Sequence, residues 1–117
     1  MSPTDTAQRY IELFNARRFR EMGELFADDG LWEPPSAIPP TRGRDAIIAG
    51  YSAMEGQEMA ILFADARFHE FGTVVVAEML IVDADGPTGR VCDVFEVDAE
   101  GRILRMTGYM GPVPLLA

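Results

Sequence analysis

Asp93 is the residue whose type and position in this sequence most strongly suggest chemistry. Residues 90–110 are typical of a β-hairpin with its turn at 98–101, and Asp93 alternates in step with Phe95 and Val97. It therefore points where apolar side chains point. A carboxyl buried there must find a partner or keep its proton, because burial raises its pKa. A protonated carboxyl can donate a hydrogen bond; the alternative is an aspartate at a strand edge, in water or capping a backbone group.

Two tyrosines could act together with this carboxyl. Tyr10 and Tyr51 each fall on the inward, apolar face of a predicted helix, where a phenol hydroxyl needs a partner. Two phenols and a protonated Asp93 could donate to one oxygen, which would make an oxyanion hole for an enolate. Glu33 and Glu78 are further carboxylates that could move a proton. The alternative for the tyrosines is that they are core aromatics whose hydroxyls reach water.

The elements that must position these side chains form an α+β pattern, with helices first and strands after them. The predicted helices lie at residues 3–14, 19–26 and 43–54, and the predicted strands at 31–33, 59–68, 73–82, 90–97 and 102–110. A proline-rich loop, residues 34–43, separates the first strand from the third helix. A curved sheet wrapped around the long first helix is the simplest way to bury both.

Composition excludes several classes of function. At 117 residues the chain is predicted to be one domain, residues 1–117. Its net charge of −9 argues against nucleic acid and anionic membranes as partners, and no apolar run is long enough to span a bilayer. The single histidine, His69, and the absence of zinc spacing or a phosphate loop predict no metal and no cofactor. The lone Cys92 and the polar N-terminus indicate a cytoplasmic protein.

Several stretches together resemble bacterial ketosteroid isomerase, a member of the nuclear-transport-factor-2-like (NTF2-like) or SnoaL-like superfamily. They are residues 8–15, Phe26-Ala-Asp-Asp29, Ala46-Ile47 with Tyr51, and Asp93-x-Phe95. The resemblance covers nearly the whole chain. It implies a cone: a strongly curved antiparallel sheet around a long N-terminal helix, with two further helices, an apolar cavity and usually a homodimer.

The same resemblance implies roles for individual residues. Tyr10 corresponds to the catalytic tyrosine, Tyr51 to the tyrosine that hydrogen-bonds behind it, and Asp93 to the aspartic acid of the oxyanion hole, which in that family stays protonated. Other positions are expected to contact the substrate: Pro34, Phe95, Met106 and Met110. For the methionines, ordinary core filling is the alternative.

One position departs from the family, because Pro34 stands where the general base is expected. Glu78 is the preferred replacement, since an even-numbered gap relative to the family preserves strand alternation and predicts that Glu78 points inward. Glu33 should point to the opposite face unless the two following prolines force a bulge. The alternative for Glu78 is pairing with an arginine at a dimer interface.

The predicted function is that of a ketosteroid-isomerase-like enzyme. It would act by enolate stabilisation on a hydrophobic carbonyl compound, a steroid or polyketide. A polyketide-cyclase-like enzyme, a non-catalytic small-molecule-binding protein and a dimerisation module without a ligand are the alternatives. The expected partners are a hydrophobic small molecule and a second copy of the chain.

Overall fold

Six strands form one curved sheet, and three helices pack against its inner face. The computed structural model describes residues 2–35, 39–57 and 60–111. The helices are α1 (Pro3–Asn15), α2 (Phe19–Glu24) and α3 (Arg44–Ser52). The strands are β1 (Phe26–Glu33), β2 (Thr41–Arg42), β3 (Leu62–Phe71), β4 (Val74–Asp83), β5 (Gly86–Val97) and β6 (Ile103–Gly111). The predicted α+β cone with three helices is confirmed.

The order of strands in the sheet is β2-β1-β6-β5-β4-β3. The strands β3 to β6 form an antiparallel meander, as the hairpin patterns predicted. The prediction of a wholly antiparallel sheet is wrong at one junction, because β1 runs parallel to β6. Parallel neighbours need a long connection between them, and most of the chain lies between these two strands.

Helix α1 begins as its sequence predicts. Ser2 and Asp5 form a reciprocal capping box, and Pro3 occupies the first turn. One face of the helix is buried in the core, and Tyr10 lies on that face. No helix in the described ranges is both long and apolar enough to cross a membrane.

Strand alternation divides β4 and β5 into two faces. On the inner face the side chains of β4 and β5 are buried beneath the helices; they are Val75, Ala77, Met79, Ile81, Val91, Asp93, Phe95 and Val97. The intervening residues form the outer face, which none of α1, α2 and α3 covers. The prediction that Asp93 shares the apolar face of its strand is confirmed.

The largest difference from the predicted elements concerns residues 25–30. The prediction placed residues 19–26 in the second helix and ended it before Asp28-Asp29-Gly30, whereas α2 ends at Glu24 and β1 already begins at Phe26. Both ends of this stretch pair with β6, and a bulge between them carries the two exposed aspartates. Pairing with β6 therefore keeps a sequence that is typical of a turn within a strand. The predicted strand at residues 59–68 corresponds to β3, and its predicted start at Met59 lies outside the described residues.

Gly23 sets how closely α2 approaches α3, the helix that carries Tyr51. A Cβ at Gly23 would lie 2.7 Å from the Ile48 Cα. We predict that Gly23→Ala destabilises the fold by about 1–3 kcal/mol, because a backbone contact must open. Thermal and urea unfolding measure this change. Gly56→Ala is the matched control, since a Cβ there meets nothing within 4 Å. Equal stability of the two variants would contradict the prediction.

Candidate functional site

The fold brings together the three residues that the sequence singled out as an oxyanion hole. Tyr10 comes from α1, Tyr51 from α3 and Asp93 from the middle of β5. All three are buried, with exposed fractions of 3%, 2% and 2%. The tyrosines are hydrogen-bonded to each other and the Asp93 carboxyl acts electrostatically on both, so the three form a small polar cluster inside the apolar core.

The two tyrosines are joined through their hydroxyl groups. The Tyr10 and Tyr51 hydroxyls form a short hydrogen bond in which either oxygen can be the donor. Phe95 packs edge-on against Tyr10, with the ring centroids 5.0 Å apart. Burial raises the pKa of both phenols well above their usual value, and the nearby Asp93 carboxyl adds to this effect. Both phenols are therefore protonated at neutral pH, and one O–H of the pair is left to donate to another group.

Trp32 fixes the second tyrosine, and the sequence analysis gave it no role. Its ring stacks on that of Tyr51, with centroids 4.3 Å apart and planes inclined by 26°. It lies against α3 at Gly50, where a Cβ would approach the Trp32 ring to 2.9 Å. The sequence did contain a signal, because Trp32 precedes Pro34 by two residues and so shares its strand face.

Asp93 has no partner for one carboxyl oxygen. Its Oδ1 is buried and takes part in no hydrogen bond within the described part of the chain. The residues opposite it on the neighbouring strands are Ala77 and Gly108, whose side chains have no polar atoms. Burial raises the pKa of Asp93 to about 7. An unpaired buried carboxyl is costly for folding, which makes this oxygen the clearest candidate for contact with a ligand.

The prediction that Glu78 points inward is wrong. Ala77, not Glu78, lies opposite Asp93, so Glu78 belongs to the outer face together with Cys92. Its side chain is 44% exposed. Its Oε1 lies 3.8 Å from the Arg67 Nη1, and its Oε2 lies 3.7 Å from the His69 Nε2. Strand pairing fixes this orientation, which the count of residues in a gap could not establish.

Glu33 also lies on the outer face, as simple alternation predicted. Its Oε1 accepts hydrogen bonds from Thr107 at 2.8 Å and from the Arg105 Nε at 2.7 Å. These hydrogen bonds lower the pKa of Glu33. The bulge that could have turned Glu33 inward does not do so, and neither Glu33 nor Glu78 lies beside the tyrosines.

The four expected substrate-contacting residues differ in their surroundings. Phe95 and Met106 are buried in the core, and Pro34 is half-buried directly after β1. Met110 lies opposite the buried Val91 near the end of β6 and is 58% exposed, so it is not enclosed in the core as Phe95 and Met106 are. The contacts of all four residues with a substrate stay predictions.

Within the described ranges, no group of three or more histidine, cysteine or acidic side chains is placed to hold a metal ion. What the cluster offers is a proton-bearing carboxyl and a phenol pair in an apolar setting. Such an arrangement can stabilise negative charge on a carbonyl oxygen and move a proton.

Solved structures share this fold over nearly the whole chain. A protein from Sphaerobacter thermophilus is 26% identical, with a TM-score of 0.74 and coverage of 97% of this chain and 98% of that one. A candidate isomerase of the SnoaL-like family from Agrobacterium tumefaciens is 20% identical (TM-score 0.73, coverage 92% and 95%). A candidate polyketide cyclase from Xanthomonas campestris is 22% identical (TM-score 0.72, coverage 92% and 88%). The last two similarities concern the fold alone.

The family comparison agrees with the superfamily that the sequence resembled, whereas the narrower likeness to ketosteroid isomerase stays a prediction. A model of the SnoaL-like domain matches residues 7–106, a range that contains Tyr10, Tyr51 and Asp93. Because this match spans most of the chain, the protein belongs to the SnoaL-like domain family.

Proposed function

We propose that this protein is a cofactor-free enzyme that moves a proton next to the carbonyl group of a hydrophobic small molecule, through an enolate. The observation that carries the proposal is the buried, unpaired carboxyl oxygen of Asp93 close to the hydrogen-bonded phenols. A carboxyl whose pKa is raised to about 7 can take up and release a proton near neutral pH, and a neutral phenol pair can stabilise the enolate oxygen.

The phenols supply the oxyanion hole in this proposal. Since one hydroxyl of the Tyr10–Tyr51 pair donates to the other, a single proton is left to donate to the substrate carbonyl oxygen. That hydrogen bond strengthens as negative charge develops on the oxygen in the transition state. Trp32 and Phe95 hold the two rings in place, so little reorganisation accompanies the reaction.

Asp93 supplies the base. Apart from the tyrosines, Thr6 and Asp93 are the buried polar residues among those described, so Asp93 is the carboxyl of the described core that is available to a bound substrate. This assignment differs from the sequence prediction, in which Asp93 donated a hydrogen bond and Glu78 moved the proton. With Glu78 and Glu33 on the outer face, the enolate mechanism assigns the proton transfer to Asp93 among the described carboxyls.

The proton balance allows two reactions. The Asp93 carboxylate removes a proton from the carbon beside the carbonyl, and the electron pair of that C–H bond moves to form the enolate. For isomerisation, Asp93 then returns the proton to a carbon further along the conjugated system. For aldol cyclisation, the enolate carbon attacks a second carbonyl and Asp93 protonates the resulting alkoxide. The names of two structural relatives, a candidate isomerase and a candidate polyketide cyclase, support these two reactions and, for cyclisation, a polyketide substrate. A steroid substrate rests on the resemblance of the sequence to ketosteroid isomerase.

The outer face supports a homodimer. Its half-buried apolar residues form a patch across two strands, in which Val74, Val76 and Val94 are neighbours and Leu80 lies beyond Glu78. Three arginines and three glutamates lie around and between these residues: Arg67, Arg90, Arg105, Glu33, Glu78 and Glu96. A balanced set of charges on a chain of net charge −9 suits a second copy related by a two-fold axis.

Substitutions in the cluster test the proposed activity. We expect Asp93→Asn to lower enolisation about 10²–10⁴-fold through loss of the base. Tyr10→Phe should lower it about 10²–10³-fold through loss of an oxyanion donor. The measurement is exchange of α-protons in D₂O by proton NMR, over enolisable cyclic ketones, enones and a β,γ-unsaturated 3-ketosteroid.

Glu78→Gln is the matched control for these variants, because Glu78 lies on the outer face and should leave the exchange rate unchanged. An active Asp93→Asn variant, or a Glu78→Gln variant that loses activity, would contradict the proposed base. Tight binding of phenols or enones without any exchange would instead favour the non-catalytic binding protein.

The pH profile separates the two roles of Asp93. A base must be ionised, so kcat/KM should rise as the pH increases through about 7, the pKa of Asp93, and then level off. A carboxyl that acts as a hydrogen-bond donor must be protonated, and kcat/KM would then fall through the same range. Steady-state kinetics from pH 5 to pH 9 distinguish the two, and a falling profile would return Asp93 to the oxyanion hole.

The oligomeric state tests the proposed dimer. We expect the protein to sediment as a dimer at micromolar concentration and Val76→Arg to shift it towards monomer, since a charge would enter the centre of the apolar patch. Gln8→Arg adds the same charge on the exposed side of α1 and should stay dimeric. A wild-type protein that is monomeric at high micromolar concentration would overturn the proposal.

A further inference from the structure

The ring of Pro35 lies over Gly108, and the free carboxyl oxygen of Asp93 borders the same glycine. A Cβ at Gly108 would be 2.7 Å from the Pro35 Cδ and 3.1 Å from its Cγ, and 3.0 Å from the Asp93 Oδ1. Gly108 lies opposite Asp93 in the β5–β6 pairing. The space that a side chain at position 108 would take is thus already occupied by the proline ring and the carboxyl group.

The backbone of Gly108 does not itself call for glycine. Other glycines in the described chain have positive φ angles, among them Gly43, Gly72 and Gly86, whereas Gly108 does not. A residue with a side chain could adopt its conformation, but the side chain would have no room. The glycine therefore allows Pro35 to lie against β6 at the position opposite Asp93.

No charged group in the described part of the chain compensates for the burial of the Asp93 carboxyl. The titratable groups that face it are the phenols of Tyr10 on α1 and Tyr51 on α3, both neutral, and its neighbours on β4 and β6 are Ala77 and Gly108. Burial accounts for the raised pKa, without an ion pair or a hydrogen bond to the carboxyl. The protonation of Asp93 therefore depends on the groups that keep water away from it.

We propose that Pro35 is a positioning residue for Asp93: its ring, seated on Gly108, covers one side of the free carboxyl oxygen and limits the access of water to it. The importance of this cover for turnover rests on the function proposed above. The cover acts on the Asp93 carboxyl of the free protein, with or without a substrate.

Removal of the ring tests the proposal. Pro35→Ala should lower the pKa of Asp93 by about one unit or more, towards its usual value, because water gains access to the carboxyl. The measurement is carbon-13 NMR titration of the aspartate carboxyls in the protein without ligand, with Asp93 assigned by the signal lost in Asp93→Asn. Pro40→Ala is the matched control, since Pro40 is also the second residue of a Pro-Pro pair but is exposed.

A paired substitution makes the test specific to this contact. Gly108→Ala alone should lower the melting temperature, because the new methyl group meets the Pro35 ring, whereas Gly111→Ala on the same strand meets nothing within 4 Å. In Pro35→Ala/Gly108→Ala, the methyl group fills the vacated space. We expect it to recover stability relative to Gly108→Ala and to raise the pKa of Asp93 relative to Pro35→Ala.

Two results would overturn the inference: a pKa of Asp93 that Pro35→Ala leaves unchanged, or strictly additive effects of the two substitutions. Both are read without substrate, so they are independent of the proposed enzyme. A lowered pKa in a protein that exchanges no α-protons would support the cover and refute the function. An unchanged pKa of Asp93 in a protein that does exchange α-protons would support the function and refute the cover.

Discussion

The structure depends on one unfavourable arrangement, a carboxyl group placed on the apolar inner face of the sheet. Asp93 lies between Ala77 and Gly108 on the neighbouring strands, so neither strand offers it a side-chain partner. A buried carboxyl oxygen without a hydrogen bond costs stability, and proteins retain such groups mainly where they bind or react. The rest of the site follows from this placement, because burial raises the pKa of Asp93 to about 7 and the same core contains the two phenols.

Glycines shape the surroundings of this carboxyl by letting large groups come close. Gly23 allows α2 to pack on α3, Gly50 allows Trp32 to lie against the same helix, and Gly108 receives Pro35. Trp32 in turn stacks on Tyr51, whose hydroxyl bonds that of Tyr10. A chain of tight contacts thus connects the proline-rich end of β1 with the phenol pair, and precise packing of this kind preorganises a site before substrate arrives.

The two faces of the sheet divide the acidic residues by role. Glu78 and Glu33 lie on the outer face, where arginines and a histidine partner them in water. Asp93 lies on the inner face, where burial rather than an ion pair governs it. The chain has nineteen acidic residues, and the face of the sheet on which a strand residue lies decides whether its carboxyl is exposed or buried. A shift of one position along a strand changes that face.

The sequence by itself determined most of the helices and strands and the central residues of the site, but not the start of β1 or the short strand β2. Periodicity and capping predicted α1, alternation placed Asp93 among apolar residues, and the resemblance named both tyrosines. It could not determine the face of Glu78, the exposure of Met110, the parallel pairing of β1 with β6, or the role of Gly108, because each depends on partners distant in sequence. Local patterns report which side chains share a face, whereas the register between strands and the approach of a distant loop are decided only when the whole core packs.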